Sequence, residues 1–164
     1  MLIGRAFKFG DGISTDHIIP GRFAHLRSEL LELAKHVMED ADPTFASKVK
    51  TGDFIIGGKN FGLGSSREHA ALVIKMAGVS AILAKSVARI FFRNAINLGL
   101  PVLICDTDSI NDGDELEVDL EAGTIRNITY GGQLVFDRIP EVMLHILNEG
   151  GLLPYIEKYG DFKL

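Results

Sequence analysis

The chain of 164 residues has a single cysteine, Cys105, so it forms no internal disulfide and cannot supply the set of thiolates that an iron–sulfur cluster requires. Positive charge is also short. Seventeen Lys and Arg stand against 22 Asp and Glu, and a net charge of −5 excludes broad attraction to nucleic acid or to an anionic membrane. No apolar run approaches the ~20 residues of a membrane span. Met1-Leu2-Ile3-Gly4-Arg5 lacks the apolar centre of a secretory signal, so a cytoplasmic protein is expected. Repeats, low-complexity tracts and linkers are absent as well. At this length, with 46% hydrophobic residues, the chain is expected to fold as one α/β domain over residues 1–164.

What is present centres on Gly57-Gly58-Lys59-Asn60-Phe61-Gly62-Leu63-Gly64-Ser65-Ser66-Arg67-Glu68-His69. The run joins the apolar Phe54-Ile55-Ile56 to the helical pattern Ala70, Ala71, Val73, Ile74, Ala77, and so reads as strand, glycine loop and helix start. A helix N-terminus offers unpaired N–H donors and a partial positive charge, to which Arg67 adds a full one. The stretch suits an anion.

Around this loop the apolar spacing predicts a strand from Leu2 to Phe9, a helical run over Leu30, Leu31, Leu33, Ala34, Val37 and Met38, and a short helix between Pro43 and Lys50. A βαβ unit with a right-handed crossover is expected from Phe54 through Ala84. A helix with Val87, Ile90, Phe91, Ala95 and Leu98 on one face should follow, then a buried strand Pro101 to Cys105. Glu115 to Leu120 alternates strictly, as expected of an antiparallel strand with one face buried, and strands at Thr124 to Thr129 and Gln133 to Phe136 follow it. Helices at Pro140 to Asn148 and Leu152 to Lys158 complete the chain.

Several polar groups have a bland and a functional reading. Ser14-Thr15-Asp16-His17 suits turn capping, or else Asp16 orients a hydroxyl or an arginine in a site. Arg22, His25 and Arg27, ahead of a helix, form a solvated loop or an anion site. Arg89 and Arg93 lie four apart on one helix face, paired or solvated in one account and at a subunit or substrate surface in the other. Cys105 reads as an inert core thiol.

Three chemistries compete for the glycine loop. It lacks the Gly-Lys-Ser/Thr ending of a phosphate loop, and its glycine spacing departs from the dinucleotide fingerprint. A serine-hydrolase elbow needs a glycine two residues after the nucleophile, where Arg67 or Glu68 stands here. The third is a serine base beside an arginine that clamps a carboxylate; helix N–H donors and Arg67 would lower the hydroxyl pKa.

Gly57 to Ala71, with its Gly-Ser-Ser-Arg-Glu-His motif at Gly64 to His69, together with Asp11 to Pro20 and Lys85 to Leu103, closely resembles the small-subunit group of isopropylmalate isomerase and homoaconitase, equivalent to the swivelling domain of aconitase. The resemblance implies a β/β/α domain with a mixed sheet or barrel-like β core flanked by helices. It implies Ser65 as general base, Ser66 and Arg67 as ligands of a substrate carboxylate, and Asp16 as support for that site. It further implies a large partner subunit that carries a [4Fe–4S] cluster, whose iron acts as Lewis acid on the departing hydroxyl of a di- or tricarboxylate. Conversion of 2-isopropylmalate to 3-isopropylmalate in leucine biosynthesis is the leading expectation. Homoaconitate or dimethylmalate chemistry is the alternative, and a stand-alone anion-binding or regulatory module is the non-enzymatic one. The loop Phe23-Ala24-His25-Leu26-Arg27 departs from the group's usual segment, and His25 and Arg27 are the candidate readers of the substrate's far end.

Overall fold

The computed structural model describes residues 1–65 and 68–160. Its strands are β1 (Leu2–Lys8), β2 (Phe54–Ile56), β3 (Ala81–Ala84), β4 (Val102–Ile104), β5 (Glu115–Asp119), β6 (Thr124–Asn127) and β7 (Gln133–Val135). They form one mixed sheet in the order β4-β3-β2-β1-β5-β6-β7, curled as a half-barrel with β4 and β7 at its edges. The β4 to β1 side is parallel throughout, and β1, β5, β6 and β7 pair antiparallel.

Helices connect the parallel strands. Between β1 and β2 lie α1 (Thr15–Ile18), a 3₁₀ turn (Gly21–Leu26), α2 (Leu30–Ala34) and α3 (Phe45–Lys48); α4 (Glu68–Met76) leads to β3 and α5 (Arg89–Asn97) to β4. The parallel strands must therefore be covered on both faces, and all three residues of β2 and all four of β3 are fully buried. Side chains alternate across the sheet. Phe7, Ile55, Ile82 and Val102 face a core built with Ile18, Leu33, Phe45, Ile74 and Phe91 of the helices. Ala6, Phe54, Ile56, Leu83 and Leu103 face the other core, which holds Leu116, Val118 and Ile125. The helices α6 (Glu141–Asn148) and α7 (Leu152–Tyr159) close that second core with Ile146, Leu147 and Tyr155.

Three expectations are corrected. The helical run toward Met38 stops at Ala34, because Met38 turns into the left-handed region at φ 60° and donates its N–H to the Ile18 carbonyl at 3.0 Å, leaving its side chain fully buried. Leu31, assigned to the apolar face, is 77% exposed. Ile90 is 54% exposed: α5 begins only at Arg89, so its inward face is carried by Phe91 and Ala95 while Ile90 points outward. No described helix is long and apolar enough to cross a membrane.

Candidate active site at the ends of the parallel strands

The parallel strands β1, β2 and β3 all run toward one edge, so the loops that leave them emerge side by side, and such carboxyl ends are where open α/β sheets bind ligands. The three loops continue the sheet's bonding beyond the strands. Gly12 N donates to Lys59 O at 2.8 Å, Gly62 N to Ile13 O at 2.7 Å and Thr15 N to Leu63 O at 2.9 Å, which fastens the first loop to the glycine loop. On the other flank Phe61 N donates to Ser86 O at 3.0 Å and Ala88 N to Phe61 O at 2.8 Å. Buried Thr107, from the segment after β4, donates its hydroxyl to Gly57 O at 2.7 Å and anchors the root of the loop.

Gly62 and Gly64 are left-handed, at φ +78° and +106°, which carries no steric penalty only without a Cβ. Gly62 also lies flat against the Phe91 ring, where any side chain would collide. This close approach lets Phe61 and Phe91 meet edge to face at 5.5 Å and form a floor. Above it stands exposed Ser65, whose carbonyl accepts a 2.9 Å bond from the hydroxyl of buried Thr15. Ser65 opens onto a cavity of about 230 Å³ whose wall includes Thr15, Arg89, Ile90, Phe91 and Asn94.

Three other cations near these loops, Lys8, Lys85 and Arg22, are committed elsewhere. Lys8 Nζ caps the carbonyls of Thr107, Asp108 and Ile110. Lys85 pairs with Asp108 at 2.5 Å, which raises the ammonium pKa and holds the Asp108 carboxyl below its ordinary range. Arg22 forks onto Asp40 at 2.7 and 3.0 Å and reaches Glu39 at 2.9 Å, so its guanidinium serves the loop and not a ligand. Phe23 beneath it stacks on His36 with ring centroids 3.9 Å apart.

Of the residues predicted from sequence, Ser65 lines the cavity and Asp16 sits exposed on α1 beside Thr15, the residue that bonds Ser65. Ser66 and Arg67 lie outside the described residues. His25 and Arg27 are exposed at the end of the 3₁₀ turn, do not line the Ser65 cavity, and make no ion pair among the described residues. Cys105 is buried, and burial pushes its thiol up to about 12, as an inert core group requires. Sequence reasoning missed Thr15, Asn94 and Thr107. Arg89 and Arg93, paired or solvated in the bland reading, are both exposed, and among the described residues neither forms an ion pair, which leaves solvation as that reading while Arg89 also lines the cavity.

Similarities to known proteins follow the same geometry. The family described as the aconitase C-terminal domain matches residues 8–106, a span that holds the three converging loops and α5. The 3-isopropylmalate dehydratase small subunit 2 of Archaeoglobus fulgidus is 67% identical over 163 residues, covering 99% of this chain and 99% of its own. The 3-isopropylmalate dehydratase small subunit 1 of Thermotoga maritima is 61% identical, covering 99% and 98%. The isopropylmalate/citramalate isomerase small subunit of Methanocaldococcus jannaschii is 54% identical, covering 94% and 93%. A crystal structure of 3-isopropylmalate dehydratase from the latter organism superimposes with a TM-score of 0.92 at 46% identity, covering 97% of this chain and 95% of that one.

Proposed function

The chain belongs to the aconitase C-terminal domain family, and from that premise we propose that it is the small subunit of a 3-isopropylmalate dehydratase, a hydro-lyase that isomerises 2-isopropylmalate to 3-isopropylmalate for leucine biosynthesis. The observation that carries this reading is an exposed serine fixed by its backbone at the mouth of a cavity where three loops converge. Isomerisation by dehydration and rehydration needs a base on the carbon next to a carboxylate. Ser65 Oγ is that base: Glu68, where α4 begins, is three residues on, and the unpaired N–H donors of a helix's first turn favour an alkoxide. Ser66 and Arg67 hold the adjacent carboxylate, Asp16 supports the site from α1, and Arg27 with His25 reads the far end of the substrate.

No residue set described in this chain fits an iron–sulfur cluster. Its lone cysteine is a buried thiol held protonated, whereas cluster ligation takes thiolates. The [4Fe–4S] cluster therefore belongs to a large partner subunit, in keeping with the small-subunit names of the relatives, and turnover requires the complex.

Mixing the chain with its large partner should give hydration and dehydration of isopropylmalates. Ser65→Ala in that complex should lower kcat by about 10²–10⁴-fold, the usual worth of a general base, with the complex still assembled. A turnover unchanged by Ser65→Ala would remove the base. The same assay on homoaconitate, citramalate and dimethylmalate settles the substrate. If a third carboxylate is bound, Arg27→Ala should raise KM for homoaconitate and leave KM for isopropylmalate alone.

A further inference from the structure

His17 stands third in α1, and its ring folds back on the turn. Nδ1 lies 2.9 Å from the Ser14 amide nitrogen and 2.9 Å from Ser14 Oγ, and Ser14 Oγ lies 3.3 Å from the His17 amide. An amide N–H only donates, so Nδ1 must accept. This assigns the neutral ring's proton to Nε2, and it lets the Ser14 hydroxyl donate to Nδ1 while accepting from His17 N–H. The arrangement is a capping box in which an imidazole lone pair replaces the carbonyl of the usual Glu or Gln.

The turn so held is the part of the molecule that grips Ser65. Ser14 bridges to Leu63 in parallel register, Thr15 N donates to Leu63 O, and Thr15 Oγ1 donates to Ser65 O. These bonds fall on both sides of Gly64, whose left-handed backbone has no side chain to steady it. His17 itself does not line the Ser65 cavity. Its ring faces a separate cavity of about 410 Å³, shared with Phe9, Ile13, Asp40 and Asp42.

We propose that His17 is a positioning residue: its Nδ1 lone pair holds the Ser14–Thr15 turn, and that turn sets where Ser65 Oγ stands over the substrate. The inference rests on Ser65 as the base, and the experiment separates the two. In the complex with the large subunit, His17→Leu should lower kcat about ten- to a hundredfold, as small misplacements of reacting groups do, with KM within about threefold. His17→Gln restores the acceptor of an ordinary capping box and should keep kcat within about threefold of the parent. A role in stability alone would instead lower the melting temperature and leave kcat of the folded complex intact in both.

Full kcat in a folded His17→Leu chain overturns the proposal, and so does a His17→Gln chain as slow as His17→Leu. Should His17→Leu not fold, Thr15→Val takes its place, since it keeps the box and breaks the bond to Ser65 O. High kcat in His17→Gln with low kcat in Thr15→Val then supports the proposal, and any other combination overturns it. Ser65→Ala run alongside tells the two failures apart. If it retains turnover, the base assignment has failed and takes this inference with it; if it is slow while His17→Leu is fast, only the inference has failed.

Discussion

The two halves of the sheet each bury apolar surface and differ in what their loops do. In the β4-β3-β2-β1 half, strands run the same way, so the loops after β1, β2 and β3 leave at one edge and bond to one another. In the β5-β6-β7 half, strands alternate direction, so successive turns leave at opposite edges and never meet. Its exposed face carries cross-strand chemistry such as Arg126 on Glu117 at 2.6 Å, its buried polar pair Asn127–Asp114 is satisfied at 2.8 Å, and no candidate site residue comes from it. Parallel strand direction, more than core quality, makes the site.

Core truncations test that separation most strongly. Ile55→Ala in β2 and Leu116→Ala in β5 each remove a fully buried side chain and should each cost about 2–5 kcal/mol in chemical denaturation. Only Ile55→Ala, beneath the glycine loop, should also lower kcat in the assembled complex at a temperature where both remain folded. Loss of turnover in a folded Leu116→Ala chain would break the comparison.

Smaller effects are expected from single buried hydrogen bonds. Thr107→Val strips the Gly57 carbonyl of its partner and Asn127→Ala strips Asp114 of one donor, each worth about 1–3 kcal/mol. The first should slow turnover by moving the root of the loop, and the second should leave it unchanged. Equal kinetic effects would show that the halves are coupled.

The smallest effect is one of pH. Arg22 holds the Asp40 carboxyl below its ordinary range through their hydrogen bonds, and His36 first, then Arg22, does the same for Glu39. A carboxyl depressed in the folded state adds stability above its ordinary range and loses it as pH falls through the depressed value. The Gly21–Leu26 turn should therefore loosen below about pH 4, before the β5-β6-β7 half responds. Amide exchange at Phe23, whose N–H bonds Pro20 O at 2.9 Å, reports it; exchange unchanged down to global unfolding would rule it out.

Much of the fold was legible in the sequence where the pattern was local. Ala81-Ile82-Leu83-Ala84 reads as a buried strand because every residue is apolar, and Glu115 to Leu120 reads as a half-buried one because it alternates; strands form at Ala81–Ala84 and at Glu115–Asp119. Legibility ends where a distant partner decides. Met38 breaks its helix for the Ile18 carbonyl, and Arg22 is drawn from a candidate anion site to Asp40, eighteen residues along. Thr15 acquires its part in the site only through Ser65, fifty residues away.

By itself, the sequence determined most of the elements, the expectation of an anion at Gly57 to Arg67, the family resemblance and the lack of cluster ligands. Each of these depends on residue identity or on spacing within a few turns of chain. Only the tertiary structure decided that the loops after β1, β2 and β3 meet at Ser65, that His17 points its lone pair into the turn beside it, and that Arg89 opens onto the cavity while Arg22 does not. Those outcomes depend on strand order and on which charges fold next to one another, and long-range pairing sets both.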